Sequence, residues 1–333
     1  MMDLITILAF VVAASIFIYV ALDGFDLGLG ILFPLIREPD ARDMALNSIA
    51  PVWDGNETWL VLGGGALMAV FPPAYAILMP ALYMPVMLLL FGLIFRGVAF
   101  SFREQHRGNR PVWDWAFFGG SLAAALAQGL SIGTVLQGVQ VADGVYAGGN
   151  WAWITPFTLL TAVATVIGYA LLGAAWLIFK SEGPLRDRAY DLARPLCFIM
   201  LAAIAAVSAV TPFLSHDYWL NWFSWPRILL AAPVPVATVV IAVALLRVLA
   251  TRRDHWPFPL VLMLFGLCFA GLGISIYPEV VPGVLTISEA AAPEATLKLM
   301  AWGVAILLPI TIGYTAFSYW VFRGKTDASS GYH

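Results

Sequence analysis

Charge is what this 333-residue chain has least of: Asp, Glu, Lys and Arg make up 11% of it, against 61% hydrophobic residues. Soluble domains carry about 25% charged residues, so a water-soluble globular fold is excluded. Disorder, which needs a polar composition, goes with it. The formal net charge is −3 and no run of Lys and Arg occurs, so nucleic acid, which is bound by neutralising phosphates, is not an expected partner. Cysteine is nearly absent. Cys197 and Cys268 lie in separate apolar segments, which leaves no disulfide framework, no CxxC pair and no Cys-based zinc or iron–sulfur site.

Long apolar runs are what the chain has instead. A hydrocarbon core about 30 Å thick needs roughly 20 apolar residues of helix, and nine windows qualify: Leu4 to Leu22, Trp59 to Leu78, Met79 to Phe100, Trp113 to Gln137, Trp153 to Phe179, Pro195 to Leu214, Pro226 to Ala250, Pro257 to Tyr277 and Leu297 to Phe322. This predicts an all-α polytopic membrane protein of about nine spans, one membrane domain over 1–333. The second and third windows are parts of one stretch interrupted by Pro72-Pro73 and Pro80, residues better suited to a turn than to a helix interior.

Basic residues fix an orientation, because Lys and Arg stay on the cytoplasmic side of short loops. Arg37, Arg42, Arg103, Arg107, Arg110, Lys180, Arg186, Arg188, Arg194, Arg247, Arg252, Arg253, Arg323 and Lys325 fall in alternate connections and the tail, whereas the other connections hold only Arg227 and Lys298. The N-terminus is therefore expected outside and the tail, 323–333, in the cytoplasm. Only Asp3 precedes the first apolar run, so that run lacks the basic start of a signal peptide and reads as an uncleaved span. Tryptophans at 151, 153, 219, 222 and 225 mark one interface, and those at 113, 115, 256 and 320 the other.

Several motifs carry no chemistry. Gly129-Leu130-Ser131-Ile132-Gly133 matches a nucleophile elbow, but that device needs a strand-to-helix turn and this stretch lies in an apolar window. Gly24, Gly28 and Gly63-Gly64-Gly65 read as surfaces for close helix packing. Haem ligation at membrane depth needs axial His, yet His106, His216, His255 and His333 all fall outside the spans. Methionine on an apolar helix is far more often core filling. No metal or haem ligation by this chain is expected.

Ionisable groups within spans are costly and are the default functional candidates. Asp23 and Asp26 follow the first apolar run three residues apart, on one helical face, with apolar residues continuing to Ile36. The alternative is a pair of solvated acids at a helix end. Asp54 and Glu57 precede the second span. They suit either an N-cap with a capping box or a proton path in which carboxylates and Asn56 pass protons inward. Arg96 lies in the third span and needs a counter-charge, with Asp26 or Asp54 as its expected partner, unless it snorkels to the interface.

These same residues resemble subunit II of the cytochrome bd-type quinol oxidases. The blocks are Asp23-Gly24-Phe25-Asp26-Leu27-Gly28-Leu29-Gly30, Asn47 through Leu60 with its Trp53-Asp54-Gly55-Asn56-Glu57-Thr58-Trp59 core, Gly64-Gly65-Ala66-Leu67, Phe95-Arg96-Gly97-Val98-Ala99-Phe100, Trp113-Asp114-Trp115 and Leu136-Gln137-Gly138-Val139. The diagnostic part lies in 1–140; 150–322 reads as a C-terminal helix bundle, whose last helix is similar in character to the family's. The resemblance implies two four-helix bundles and one peripheral helix. It implies a bacterial inner-membrane complex whose subunit I ligates haem b and haem d, oxidises quinol and reduces dioxygen to water. It leaves a bound quinone and small accessory subunits open, besides membrane lipid. Trp53 would face the partner's haem region, and Asp54 would be a proton-path carboxylate alongside Glu57, Asp23 and Asp26. Where the family frequently has an acid, this chain has Ser101. A serine relays protons through water without holding a charge, and the change suits the cyanide-insensitive branch. Two other readings compete: a proton-coupled secondary transporter, suggested by broken helices and buried acids, and a purely structural subunit.

Overall fold

The computed structural model describes residues 2–105 and 110–326; His106, Arg107 and His333 lie outside them. The architecture is helical. In chain order it comprises α1 (Met2–Leu32), α2 (Pro39–Ile49), α3 (Trp53–Val70), α4 (Pro72–Ala81), α5 (Tyr83–Gln105), α6 (Arg110–Gln137), α7 (Pro156–Lys180), α8 (Gly183–Val210), α9 (His216–Phe223), α10 (Ile228–Ala231), α11 (Pro233–Thr251), α12 (Pro257–Ile276) and α13 (Glu294–Val321). Two short antiparallel hairpins, β1–β2 (Val141–Ala142 and Val145–Tyr146) and β3–β4 (Glu279–Val281 and Leu285–Thr286), occupy connections.

Helices α1, α3, α5 and α6 pack as one bundle, and α7, α8, α11 and α12 as a second. The two meet where α7 lies against α1 and α6, while α13 stands at the periphery on α3 and α1. The largest buried apolar cluster crosses the seam, from Phe25 and Leu29 through Leu172 and Trp176 to Val261 and Leu264. Backbone proximity makes that seam. A Cβ on Gly28 would sit 1.8 Å from the Tyr169 carbonyl oxygen, so only glycine allows α1 and α7 to touch there. Gly129 and Gly133 do the same for α6 on α7, which confirms the elbow-like motif as helix packing.

Eight described helical segments are long and apolar enough to cross a membrane. The structure differs from the nine windows in instructive ways. The first helix does not stop at Leu22 but runs to Leu32, because Asp23 and Asp26 find partners inside the bundle. The second window breaks at Phe71, where Pro72 opens α4, and the boundary with the third falls at Leu82 rather than Met79. Helix α8 starts twelve residues before Pro195, taking Arg186, Arg188 and Arg194 into its first turns. The Pro226 window is divided at Ala232 into α10 and α11.

Helix α3 is not among those eight, yet it lies along α13. At its start the Asn56 side chain meets Tyr319 near the end of α13. At its finish the Val70 carbonyl accepts from Ala292 N, just before α13 begins, at 2.9 Å. The helix therefore runs beside α13 in the opposite sense. The connections sort to two ends accordingly. Basic ones gather in ion pairs such as Arg42–Asp114 at 2.7 Å and Lys325–Asp254 at 3.4 Å. The others join through Tyr218 Oη to Leu136 O at 3.0 Å and Asn221 Nδ2 to Ser275 O at 3.1 Å.

Candidate functional site: a buried charge cluster

The intramembrane charges meet at one place, between α1, α3 and α5. Asp23 and Asp26 are fully buried and Arg96 is 1% exposed, so neither acid is solvated at a helix end and Arg96 does not snorkel. Arg96 Nη1 donates to Asp23 Oδ1 at 2.5 Å, and Nη2 donates to Glu57 Oε1. The expected pairing with Asp26 or Asp54 is thus corrected. The guanidinium reaches one turn further back on α1, and Asp26 is taken instead by Asn56 Nδ2 at 2.7 Å. Asn56 also donates to the Leu22 carbonyl at 3.3 Å and accepts from the Tyr319 hydroxyl at 3.0 Å. Asp23 Oδ2 and Asp26 Oδ1 are buried and accept no hydrogen bond from the described residues.

Close packing brings these groups together. Gly92 on α5 and Gly120 on α6 face each other so closely that a Cβ on either would lie within 2.7 Å of the other's carbonyl oxygen. This pulls the Arg96 backbone against α6, 2.7 Å from where a Gly120 Cβ would be. Three carboxylates, Asp23, Glu57 and Asp26, then act on one guanidinium. With all ionised, the cluster carries a formal charge of −2. Burying such an excess costs several kcal/mol per uncompensated charge.

Asp54 stands exposed in the first turn of α3, one turn before half-buried Glu57. It is not an N-cap: Val52 holds that position with no side-chain cap, and Glu57 pairs with Arg96 instead of closing a capping box. The Trp53 ring lies 5.7 Å from the Arg96 guanidinium and 5.2 Å from the Phe100 ring. Ser101 is exposed on α5, and no hydrogen bond among the described residues joins it to the cluster.

Sequence reasoning missed two further groups. Gln128 on α6 donates through Nε2 to Tyr19 Oη at 3.1 Å and accepts from Tyr169 Oη at 2.5 Å; an amide in the middle of an apolar window was the available signal. At the basic end, buried Asp114 binds Arg42 at 2.7 Å and Arg103 at 2.5 Å, while Arg103 also holds Asp43 at 2.6 Å. The Trp113-Asp114-Trp115 block had been noted without a partner for its acid.

Among the described histidines, His216 opens α9 and His255 sits between α11 and α12, and both are exposed.

The fold and site define a multi-pass helical membrane protein of two bundles, the first of which encloses a carboxylate–arginine cluster beside a peripheral helix. Residues 4–322 match the family model described as cytochrome bd terminal oxidase subunit II. The chain is 30% identical over 344 residues to the cytochrome bd-I ubiquinol oxidase subunit 2 of Escherichia coli K12, covering 91% of this chain and 90% of the relative. It is 29% identical to the cytochrome bd ubiquinol oxidase subunit 2 of Bacillus subtilis 168, over 96% of each. Its fold matches the bd oxidase structure from Geobacillus thermodenitrificans with a TM-score of 0.73 at 18% identity, covering 96% of this chain and 99% of that one. The chain belongs to the cytochrome bd terminal oxidase subunit II family. It is a subunit of a haem-containing oxidoreductase complex of the bacterial inner membrane, with a subunit I partner, and the transporter reading is not favoured.

Proposed function

We propose that this subunit feeds protons to chemistry housed in subunit I, which ligates the b- and d-type haems, oxidises quinol and reduces dioxygen to water. The observation that carries the reading is a graded series of carboxylates: exposed Asp54, half-buried Glu57, then fully buried Asp23 and Asp26, linked through Arg96 and Asn56. Dioxygen reduction to water consumes protons, and a chain of carboxylates with spare acceptor oxygens is suited to deliver them through a membrane interior. Asp54 takes protons from water. Glu57 hands them on beside Arg96, whose fixed charge holds the neighbouring carboxylates in place. Asp26, with one oxygen unbonded, is the innermost acceptor. Trp53, stacked beside Arg96, shields the entrance and faces the partner's haem region. Ser101 serves as a water-relay hydroxyl on the approach. The basic connections support an N-terminus outside and a tail in the cytoplasm, which puts Asp54 on the cytoplasmic side.

The test is oxygen consumption by the assembled complex carrying Asp54→Asn. The reading expects an unchanged haem spectrum and a rate lowered about tenfold or more. A fully assembled complex running at the wild-type rate contradicts it and leaves the purely structural subunit as the better account.

A further inference from the structure

Two buried tyrosines and one buried glutamine have no part in the proton series, yet they end beside it. Tyr19, Gln128 and Tyr169 are 2%, 6% and 0% exposed, on α1, α6 and α7. Hydroxyl donors approach oxygen more closely than amide donors do. The 2.5 Å from Tyr169 Oη to Gln128 Oε1 and the 3.1 Å from Gln128 Nε2 to Tyr19 Oη therefore fix the direction of both bonds. Tyr169 donates to the amide oxygen, and the amide nitrogen donates to Tyr19. Tyr19 is left as an acceptor whose own hydrogen is uncommitted. One turn on, four residues later and on the same helical face, stands Asp23, which meets the Tyr19 hydroxyl by charge and by a side-chain hydrogen-bonding interaction, and whose Oδ2 has no other partner among the described residues.

We propose that Tyr19 is a positioning residue for the proton series, its hydroxyl aimed at Asp23 Oδ2 by Gln128 and Tyr169. Asp23 then receives donors from two sides, Arg96 on one oxygen and Tyr19 on the other, and is held as the fixed anionic partner of the guanidinium. Asp26, with a single donor in Asn56 and one bare oxygen, is left as the carboxyl that exchanges its proton. The two acids, three residues apart, thus differ in task because the second bundle reaches across the seam to only one of them. The chain of donors also couples that seam to the site, since Tyr169 belongs to α7 and its carbonyl is the atom against which Gly28 packs.

The inference rests on the proton-path reading, and the experiment separates the two. Tyr19→Phe keeps the ring and removes the single oxygen. In the purified complex with subunit I, its haem spectrum should match the wild type while the acid limb of the rate–pH profile moves to higher pH by about one unit, as loss of one hydrogen bond to a charged group implies. Tyr169→Phe should move the limb the same way by less. A merely structural role would lower heat stability and leave the profile in place, and that result overturns the proposal. Asp26→Asn, run in parallel, guards the premise: if it respires normally, the proton-path reading falls, whereas a slow Asp26→Asn with an unshifted Tyr19→Phe refutes only the positioning role. Should Tyr19→Phe not assemble, Gln128→Met removes the donor that aims Tyr19 at similar volume, and an unshifted limb there refutes the proposal equally.

Discussion

Arg96 is the residue on which the site balances. Its guanidinium has desolvation to overcome and does so through Asp23 and Glu57, both bonded to it, with the Asp26 carboxylate close by. Removing one member of such a buried set leaves charge without compensation, at a cost of about 3–5 kcal/mol. Arg96→Met should therefore lower the melting temperature of the purified complex or its yield. Arg96→Met combined with Asp23→Asn should be milder than Arg96→Met alone, because the second change removes an orphaned charge; a double variant that melts no higher than the single one would contradict the pairing. The presence of these charges was legible from sequence, since any ionisable residue in an apolar window stands out. Their partners were not. Asp23 and Arg96 are 73 residues apart, and Asp26 and Asn56 are 30 apart. Nothing local distinguishes Asp23 from Asp26 as the counter-ion, because both share one helical face.

At the scale of elements, glycine spacing and terminal contacts decide how helices sit. Gly28→Ala would drive a methyl into the Tyr169 carbonyl and the α7 backbone, which neither helix can yield to without parting; a loss of about 1–3 kcal/mol or more is expected. Gly64→Ala meets nothing within 4 Å and should leave the melting temperature unchanged. Thermal denaturation of the two variants side by side checks the contrast, and equal effects would count against it. The glycine run 63–65 had been read as one packing surface. Only Gly63 lies close to a neighbour, Ile16 at 3.0 Å, because in a helix three successive residues point in different directions.

Helix α13 is held at its C-terminal end by a clasp. Lys180 Nζ donates to the carbonyls of Phe322 and Gly324, Thr326 N donates to Lys180 O at 2.8 Å, and Lys325 reaches Asp254 at 3.4 Å. Partial burial raises the Asp254 carboxyl, but the Tyr190 hydroxyl bonded to it at 2.9 Å and the charges of Arg186 and Lys325 outweigh this and hold it below the ordinary value of 3.8. A depressed carboxyl contributes stability that is present above its unfolded value and lost as pH falls through the folded one. The tail should therefore become protease-sensitive as pH drops below 3.8. Asp254→Asn should show that sensitivity already at neutral pH, and tail cleavage followed against pH gives the answer.

Over the whole molecule, the apolar windows made the membrane class readable, because the membrane imposes a length rule on every span, whereas the two bundles were implied only by the family resemblance. The ends of elements were harder. Asp23 and Asp26 looked like the end of α1 because a lone sequence carries no sign that Asn56 and Arg96 will neutralise them. Likewise the basic start of α8 read as a loop, although Asp254 and Asp187 pair with its Arg186. The same long-range pairing that hid these boundaries makes the site. The account's central claim is that the buried carboxylates of this chain supply protons to its partner. Proton uptake during oxygen reduction by vesicles holding the complex with Asp26→Asn tests this most directly. The account predicts an intact haem spectrum with uptake and oxygen consumption both reduced about tenfold or more; uptake at the wild-type rate in that complex would contradict it.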